Sequence, residues 1–315
     1  MLDLVQTAAL LRGFDRILIL THVRPDGDTV GCAAGLCAAL RALDKVAFVL
    51  PNPEITETYH PYLAPYEAPE GFVPDRVVTV DMASLSLLPD NAVPYQDRIA
   101  LAIDHHPSFE RFGAENYVRP DAGACGEILF DIVSELGPVT PEIALPLYVA
   151  VSTDTGCFAY ANTTANTHQV AAALLETGID YRAVNKILFR TKSRKRLMLE
   201  SAMLSAMEFY DKGRIVVLTI PLSLIERVNA DESDAEDLSA LGAMIGGTDC
   251  AVTLRELRPE VWKISLRTGK RINATNACRL LGGGGHAAAA GCTIEAPLAE
   301  AKEKILAAVA SVAEQ

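Results

Sequence analysis

Charged and histidine side chains follow apolar, strand-like runs at several places in the first half of the chain. The runs RILIL (16–20), VVTV (77–80) and IALAI (99–103) and the helix-like YVAVST (148–153) each end at such residues. In an open parallel sheet the carboxyl ends of the strands meet at one edge, where ligands bind. The residues that this arrangement would bring together are His22, Asp26, Asp28, Asp81, Asp104, His105, His106 and Asp154.

Crowded carboxylates repel one another, and divalent cations relieve that repulsion. Aspartate oxygens and histidine nitrogens without a thiolate suit Mn²⁺, Mg²⁺ or Fe²⁺ better than a structural zinc ion. So many ligands exceed the needs of one catalytic ion and fit a pair about 3.5–4 Å apart with a bridging carboxylate. Alone, His22 or Asp81 would be an ordinary polar residue, and Asp28 could instead cap the following helix. The combination of four chain segments carries the prediction of a two-metal site.

A second feature is the run of four glycines at 282–285, which is followed by His286. Backbone N–H groups that no side chain shields can bind a phosphate group. Arg267, on a preceding strand-like segment, could add charge and hydrogen bonds. A flexible turn is the alternative for the glycines alone, but the neighbouring histidine and arginine favour an anion site.

The elements that must position the acidic cluster alternate along the first half of the chain. Continuous apolar runs predict buried parallel strands at 16–20, 46–50, 77–80 and 99–103. Helical spacing of small and apolar residues predicts helices at 29–43, 141–153 and 165–177. Between them, several prolines make 51–74 a long irregular connection, of a kind that often has a functional or partner-binding role.

The second half begins with a helical pattern from about 182 to 210, which carries a basic cluster. A solvated helix face is the plainer interpretation of these charges. The basic residues of the cluster are Lys186, Arg190, Lys192, Arg194, Lys195 and Arg196. Beyond it, the patterns predict strands at 214–220, 251–257 and 261–268, helices at 272–281 and 297–314, a short strand in GCTIEA, and an acidic loop at 231–237.

These patterns predict an α/β fold. A mostly parallel sheet with helices on both faces forms the first domain, and a smaller α+β domain follows. The expected boundaries are 1–185 for the first domain, 186–205 for a helical linker and 206–315 for the second domain, with the active site in the cleft between the domains.

Composition narrows the function. Of the 315 residues, 50% are hydrophobic and 22% are charged, which is typical of a folded protein. Seven scattered cysteines without a C-x-x-C motif argue against a disulfide framework or a zinc ribbon. No signal peptide or membrane-spanning run is evident, so we expect a soluble, cytoplasmic protein. The net charge of −12 argues against binding to long duplex DNA.

The charge is also divided unevenly along the chain. Residues 1–185 carry 24 acidic and 10 basic side chains, and residues 186–315 carry 16 and 18. This division is consistent with a first half that binds cations and a second half that binds an anionic ligand. Solvated surfaces alone would give the same numbers.

Five motifs together resemble the DHH family of phosphoesterases, in the branch with a DHH-associated C-terminal domain. They are THVRPDGDTVG (21–31), VDMAS (80–84), AIDHHPS (102–108), VSTDTGCFAYANTT (151–164) and GGGGHAAAAGC (282–292). The resemblance covers nearly the whole chain and is strongest to stand-alone oligoribonucleases that also act as phosphatases on pAp. Ala159 and Cys32 depart from the residues common in relatives, and the Ala159 change puts a secondary substrate contact in doubt.

The resemblance implies roles for these residues and two Mn²⁺ ions as cofactors, with Mg²⁺ or another divalent ion possible. One metal would be bound by His22, Asp26 and Asp81. The other would be bound by Asp28, Asp81, His105 and Asp154. Asp104 would orient the site from behind, and His106 would face the substrate phosphate. The terminal nucleotide would be held by Arg267, Gly283, Gly284, Gly285 and His286.

The activity that the resemblance implies is hydrolysis of short single-stranded oligonucleotides to mononucleotides and of pAp to AMP, with a homodimer as a possible assembly. Hydrolysis of cyclic or linear dinucleotide messengers, such as c-di-AMP, pApA or pGpG, is the alternative within the same class. A non-catalytic nucleotide-binding module is the alternative of another class, and it would predict missing metal ligands. A scaffold role through 51–74 could coexist with catalysis.

Overall fold

A computed structural model describes residues 1–235 and 238–313. The chain forms two compact units, Met1–Thr191 and Lys192–Gln315. Each unit contains one β-sheet. All seven cysteines are free thiols, which agrees with the expectation that no disulfide framework is present.

The sheet of the first unit has five strands in the order β2-β1-β3-β4-β5, and all neighbouring pairs are parallel. The strands are β1 (Ile17–Leu20), β2 (Ala47–Val49), β3 (Arg76–Val80), β4 (Ile99–Asp104) and β5 (Glu115–Val118). The predicted parallel sheet is therefore confirmed. Strand β5 lacks a continuous apolar run because it lies at the sheet edge and is only partly buried, so the sequence pattern does not reveal it.

Seven α-helices belong to the part of the first unit that the structure describes. They are α1 (Leu4–Gly13), α2 (Gly27–Arg41), α3 (His60–Leu63), α4 (Cys125–Leu136), α5 (Pro141–Asp154), α6 (Ala165–Glu176) and α7 (Tyr181–Asn185). Side chains of α1, α2, α4, α5 and α6 share one core with Ile17, Ile19 and Val78 of the sheet. These helices therefore pack on one face of the sheet and form the main core there.

The opposite face of the sheet is covered differently. Leu18, Leu20 and Val77 point to this face, and Leu88 and Ala92 pack against them. The covering chain includes two short 3₁₀ helices, Leu85–Leu87 and Val93–Arg98. The connection over 51–74 is mostly irregular, as predicted, and contains only α3 and the 3₁₀ turn Ala64–Tyr66 as helices.

The sheet of the second unit has the order β10-β11-β9-β8-β7-β6, with β7 and β8 parallel and the other pairs antiparallel. Its strands are β6 (Glu208–Tyr210), β7 (Ile215–Ile220), β8 (Cys250–Arg258), β9 (Val261–Thr268), β10 (Gly284–His286) and β11 (Ala289–Glu295). Its helices are α8 (Arg194–Ser205), α9 (Leu222–Val228), α10 (Glu232–Ala235), α11 (Ala240–Ala243), α12 (Ala274–Arg279) and α13 (Leu298–Val312). This unit is the predicted α+β domain.

The prediction of one continuous helical pattern over 182–210 is wrong, because several separate elements occupy this segment. A π-helix, Lys186–Arg190, follows α7, and Thr191 then adopts an extended backbone. The Ser193 hydroxyl oxygen accepts from the Arg196 N–H and starts α8 anew. At the end of the segment, β6 pairs with β7. Ser193 therefore supplies the N-cap signal that breaks the helical pattern.

Within the acidic loop predicted at 231–237, Glu232–Ala235 form the short helix α10. Residues 236 and 237 lie outside the described residues. Asp234 is buried and accepts hydrogen bonds from the Ser193 hydroxyl and from the Asp231 N–H, which explains why an acidic residue is tolerated there. Among the helices of the described ranges, none combines the length and apolar character that crossing a bilayer requires.

Helices α2 and α5 approach so closely that a side chain at Gly31 has no room. A Cβ atom built there would lie 2.2 Å from the Pro146 carbonyl oxygen and 2.7 Å from the Ala150 nitrogen. Because both helices carry predicted metal ligands, their close approach also sets the distance between those ligands. Backbone atoms cannot rotate away as a flexible side chain can, so the contact is rigid.

We expect Gly31→Ala to lower the free energy of unfolding by about 3 kcal/mol, because the added methyl group forces the two helices apart. Urea denaturation of the purified protein measures this change. Gly13→Ala is the matched control, since nothing lies within 4 Å of a Cβ atom at Gly13. Equal stability of the two variants would contradict the packing argument.

Candidate functional site

The candidate site lies at the carboxyl ends of three neighbouring strands. His22 and Asp26 follow β1, and Asp81 follows β3 directly. Asp104 is the last residue of β4, and Asp154 is the last residue of α5. The predicted convergence of distant residues is present, since three groups of potential metal ligands form there.

The first cluster consists of His22, Asp26 and Asp81. The His22 Nε2 atom lies 3.7 Å from Asp26 Oδ1 and 3.9 Å from Asp81 Oδ2. These separations are too long for direct hydrogen bonds, and they leave space between the ligand atoms.

The second cluster consists of Asp28, His105 and Asp154. The His105 Nε2 atom lies 3.9 Å from Asp28 Oδ2 and 3.8 Å from Asp154 Oδ2. It also lies 3.5 Å from Asp81 Oδ1. Asp81 therefore turns one carboxylate oxygen towards each cluster.

Both imidazole rings are oriented by backbone carbonyl groups. His22 Nδ1 lies 2.8 Å from the Val23 carbonyl oxygen, and His105 Nδ1 lies 3.2 Å from that of Ala122. Each Nδ1–H donates to its carbonyl oxygen, which leaves the lone pair of Nε2 free for a cation.

Asp28 is held by the beginning of helix α4. Its Oδ2 accepts from the Cys125 N–H at 2.7 Å, and its Oδ1 accepts from the Gly126 N–H at 2.9 Å. The thiol of Cys32 donates to Oδ1 at 3.2 Å. The partial positive charge at the start of a helix favours a carboxylate in this position.

Asp26 caps helix α2, rather than Asp28. The Asp26 Oδ1 atom accepts from the N–H groups of Asp28 and Thr29, at 3.0 and 3.2 Å. Asp28 lies inside the first turn of the helix and is fully buried. The alternative that Asp28 caps the helix is therefore wrong, because the cap is Asp26, two residues earlier. Asp26 thus both caps α2 and belongs to the first cluster.

Asp81 has the features of a residue held for a ligand. Its side chain is 3% exposed, and its Oδ1 accepts no hydrogen bond. Its backbone φ of +53° lies in the left-handed region, which costs a non-glycine residue about 1–3 kcal/mol. A buried carboxylate oxygen without a hydrogen-bond donor is costly unless a cation compensates it. The donor set thus fits divalent cations.

The electrostatics of the carboxylates support that fit. Burial raises the pKa of Asp81 well above its usual range, and the charge of Asp28 adds to this effect. Burial also raises the pKa of Asp28 strongly, and the charge of Asp154 contributes. For Asp154 itself, burial is again the largest cause of a raised pKa. Without positive charge between them, these groups resist ionisation together.

His22 and Asp26 form a more balanced pair. Burial alone would lower the pKa of His22, but the nearby Asp26 carboxylate outweighs this effect, so the pKa is raised. Burial opposes ionisation of Asp26, yet the contact with His22 lowers the pKa of Asp26.

His106 forms the third group together with Asp81 and His105, and its Nδ1 atom lies 3.7 Å from Asp81 Oδ1. Its Nδ1–H donates to Asp104 Oδ1 at 2.8 Å, and that oxygen also accepts from the His105 N–H. Asp104 is fully buried, whereas 42% of the His106 side chain is exposed. The hydrogen bond to Asp104 is the largest cause of the raised pKa of His106.

Asn162 belongs to the motif at 151–164, but the sequence pattern predicts no role for it. The Asn162 amide donates to the Gly123 carbonyl oxygen at 2.7 Å and reaches Asp154 Oδ2 at 3.3 Å. Asn162 therefore links the last residue of α5 to the segment before α4. An amide eight residues after a candidate ligand is the only sequence signal for this contact, and it is weak.

The predicted substrate residues lie in the second unit. His286 of β10 pairs with Ala289 of β11, and Ala289 pairs with Arg267 of β9. Partners in one row of an antiparallel sheet point to the same face, so Arg267 and His286 share a face about 10 Å apart. His286 is exposed, and Arg267 is partly exposed.

The second half of the glycine run lies in a strand. Gly284 and Gly285 pair with Gly291 and Ala290 of β11. A Cβ atom at Gly283 would lie 2.2 Å from the Gly291 carbonyl oxygen. Close pairing with β11 is thus one physical reason for the glycines, and Gly284 and Gly285 lie in an exposed edge strand. Gly283, Gly284 and Gly285 as ligand contacts stay a prediction.

Comparison with known proteins assigns the class. The model of the DHH family's N-terminal domain matches residues 16–151, and the model of the DHHA1 domain matches residues 224–315. A structure of an exopolyphosphatase-related protein from Bacteroides fragilis aligns with a TM-score of 0.84 at 24% identity, covering 98% of this chain and 96% of that one. The chain belongs to the DHH family of phosphoesterases.

Particular members of the family are similar over nearly the whole length. The bifunctional oligoribonuclease and PAP phosphatase NrnA of Thermus thermophilus is 36% identical over 296 residues, which are 93% of this chain and 89% of that protein. NrnA of Bacillus subtilis is 26% identical over 93% of this chain and 92% of its own. RecJ from Thermus thermophilus, solved in complex with Mn²⁺, shares the fold at a TM-score of 0.54 and 16% identity, covering 98% of this chain and 55% of that one.

We expect Asp81→Asn to stabilise the metal-free protein at neutral pH. A carboxyl group whose pKa is raised by folding contributes stability below its unfolded pKa, about 3.9, and loses it as the pH rises through the folded value. The stability gap between variant and wild type should therefore open above about pH 4. Urea denaturation from pH 3.5 to 8 in the presence of a chelator measures it.

Exposed Asp97 provides the matched control, Asp97→Asn, for which the gap should stay small at all pH values. A wild-type protein that is more stable than Asp81→Asn at pH 8 without metal would contradict this account of the site.

Proposed function

We propose that this chain is a metal-dependent phosphoesterase that hydrolyses short single-stranded oligonucleotides to mononucleotides and pAp to AMP. The observation that carries the proposal is the position of Asp81, whose two oxygens face separate ligand clusters within one site. Similarity to oligoribonucleases with PAP phosphatase activity over 93% of the chain supports the choice of substrate.

Two Mn²⁺ ions are the proposed cofactors. His22, Asp26 and Asp81 would hold one ion, and Asp28, His105 and Asp154 would hold the other, with Asp81 shared. When bound, such a metal pair activates water at neutral pH and offsets the negative charge of the phosphate group. The oxygen and imidazole donors without thiolate support Mn²⁺ over structural zinc.

His106 is the proposed proton donor, and Asp104 is its positioning partner. Because His106 donates Nδ1–H to the buried Asp104, its raised pKa favours the protonated ring, which carries a second proton on Nε2. That proton can go to the leaving oxygen or stabilise a phosphate oxygen. Asp104 would keep the ring in this orientation.

Arg267 and His286 are the proposed contacts for the terminal nucleotide. Their shared face on the second sheet supports this role, because a guanidinium and an imidazole about 10 Å apart can contact different phosphate or sugar groups of one nucleotide. The glycines of β10 would let the nucleotide approach the backbone closely.

The setting of the activity is part of the same proposal. The net charge of −12 supports short substrates over long duplex DNA. Seven free thiols support a reducing compartment, so we place the protein in the cytoplasm. A homodimer remains a prediction from the family resemblance.

We expect Asp81→Ala and His105→Ala to reduce Mn²⁺-dependent release of mononucleotide from pApA at least about 100-fold. Loss of an outer-shell partner alone typically costs 10–100-fold, and these residues are proposed ligands. The matched control is His60→Ala, since His60 is half exposed beside Glu67 in the same unit. Undiminished activity in both variants would refute the proposal.

The same assay should compare pApA, a pentanucleotide, pAp and a cyclic dinucleotide at one Mn²⁺ concentration. Turnover of only the cyclic compound would replace the proposed substrate with a second messenger. A folded protein that binds no metal and releases no product from any of the four would identify a non-catalytic nucleotide-binding module instead.

Arg267→Ala should raise KM for pApA about 10–100-fold with a smaller change in kcat. One charge-assisted hydrogen bond contributes about 1.5–3 kcal/mol, and this contact would hold the substrate away from the reacting phosphate. Steady-state kinetics measure both constants. Arg258→Ala is the control, because Arg258 is an exposed arginine of the same sheet; a KM unchanged in Arg267→Ala would remove Arg267 from the substrate site.

A further inference from the structure

Residues 122–126, at the entry to helix α4, contact two of the proposed metal ligands directly and are linked to a third through Asn162. The carbonyl of residue 122 accepts from His105, and the N–H groups of residues 125 and 126 donate to Asp28. The carbonyl of residue 123 accepts from Asn162, whose amide also reaches Asp154. A shift of this short stretch of backbone would move all three ligands together.

Glu127 fixes this stretch, and the proposed reaction makes no direct use of it. Its side chain is 1% exposed. Its Oε1 accepts from the Gly123 N–H at 3.2 Å and from the Thr167 hydroxyl at 2.6 Å, and its Oε2 accepts from the Asn166 amide at 2.6 Å. All three neighbours donate to Glu127, and a carboxylate, whose two oxygens accept, satisfies them together.

The contact to Thr167 extends the network to helix α6. The Thr167 hydroxyl oxygen accepts from the Thr164 N–H at 2.9 Å, as part of the capping box that begins α6. Its one proton is donated to Glu127. Asn162 lies two residues before this cap. Glu127 therefore connects residues 122–126 to the start of α6, and Asn162 and Asp154 are held between these two segments.

The residues of this network are closely packed around Gly123. A Cβ atom at Gly123 would lie 2.8 Å from Glu127 Oε1 and 2.7 Å from the Asn162 carbonyl oxygen. The lost hydration of a buried carboxylate must be compensated by hydrogen bonds, and here these bonds come from Gly123, Asn166 and Thr167.

We propose that Glu127 is a positioning residue of the metal site. It contacts no proposed ligand directly and acts through residues 122–126 and the start of α6, which set the positions of Asp28, His105 and Asp154. The inference rests on the proposed function, because it takes these three residues to hold a cation.

The test is Mn²⁺ binding to the metal-free, full-length protein, measured by titration calorimetry, together with the free energy of unfolding in chelator. Glu127→Gln keeps the shape of the side chain. Its amide NH2 group would then face the Asn166 amide, which also donates. We expect its Mn²⁺ affinity to fall about 10–100-fold, the usual cost of losing an outer-shell partner.

A double variant, Glu127→Gln with Asn166→Asp, provides the rescue. The amide introduced at 127 can donate to the carboxylate introduced at 166, while its oxygen still accepts from Gly123 and Thr167. We expect this exchange to restore most of the lost affinity.

Asn116→Ala is the matched control for destabilisation. Asn116 is a buried residue of the same unit that bonds to both backbone groups of Gly113 and contacts none of the proposed ligands in the described structure. We expect it to lower the free energy of unfolding and leave Mn²⁺ affinity unchanged. An equal loss of affinity in Asn116→Ala and Glu127→Gln would overturn the inference.

The remaining outcomes separate the two proposals. If the wild type binds Mn²⁺ and Glu127→Gln binds it equally well, only the role of Glu127 is overturned. If the wild type binds no Mn²⁺, the proposed function fails and the inference fails with it. Should Glu127→Gln not fold, Asn166→Ala takes its place, since it removes one of the three donors, and affinity equal to the wild type would then overturn the inference.

Discussion

Mutual repulsion of buried carboxylates is the constraint on which the rest of the first unit depends. Asp28 and Asp81 are almost completely buried. Burial raises the pKa of each carboxyl group, and the charge of a neighbouring carboxylate raises it further. A protein can keep such a group only where fixed dipoles or cations compensate for lost hydration. The beginning of helix α4 supplies dipoles to Asp28, and Asp81 has no comparable donor for its Oδ1.

The compensation comes mainly from the backbone. Carbonyl groups orient His22 and His105, and N–H groups hold Asp26 and Asp28. Backbone groups are fixed by the surrounding elements, so the side chains of the candidate ligands are held in place by the protein itself. The close approach of α2 and α5 at Gly31 serves the same purpose at the level of whole helices.

The sequence predicts the parts that depend on local pattern. Continuous apolar runs gave four of the five strands of the first sheet, and the polar residues at their ends predicted which side chains would meet. The short edge strand β5 and the break at Ser193 depend on pairing and capping contacts that a hydrophobic pattern does not contain. The contacts of Asp28 with residues 125 and 126 span almost 100 positions, so no spacing rule could have found them.

Asp26 connects the site to the protein interior. The carboxylate that begins α2 also belongs to the first cluster, and 14 of the 15 residues of α2 are buried. Any event that draws this side chain away from the helix start releases two backbone N–H groups at the end of a core helix. In the proposed metal site, binding of a cation by Asp26 would therefore be coupled to the start of a helix in the centre of the core.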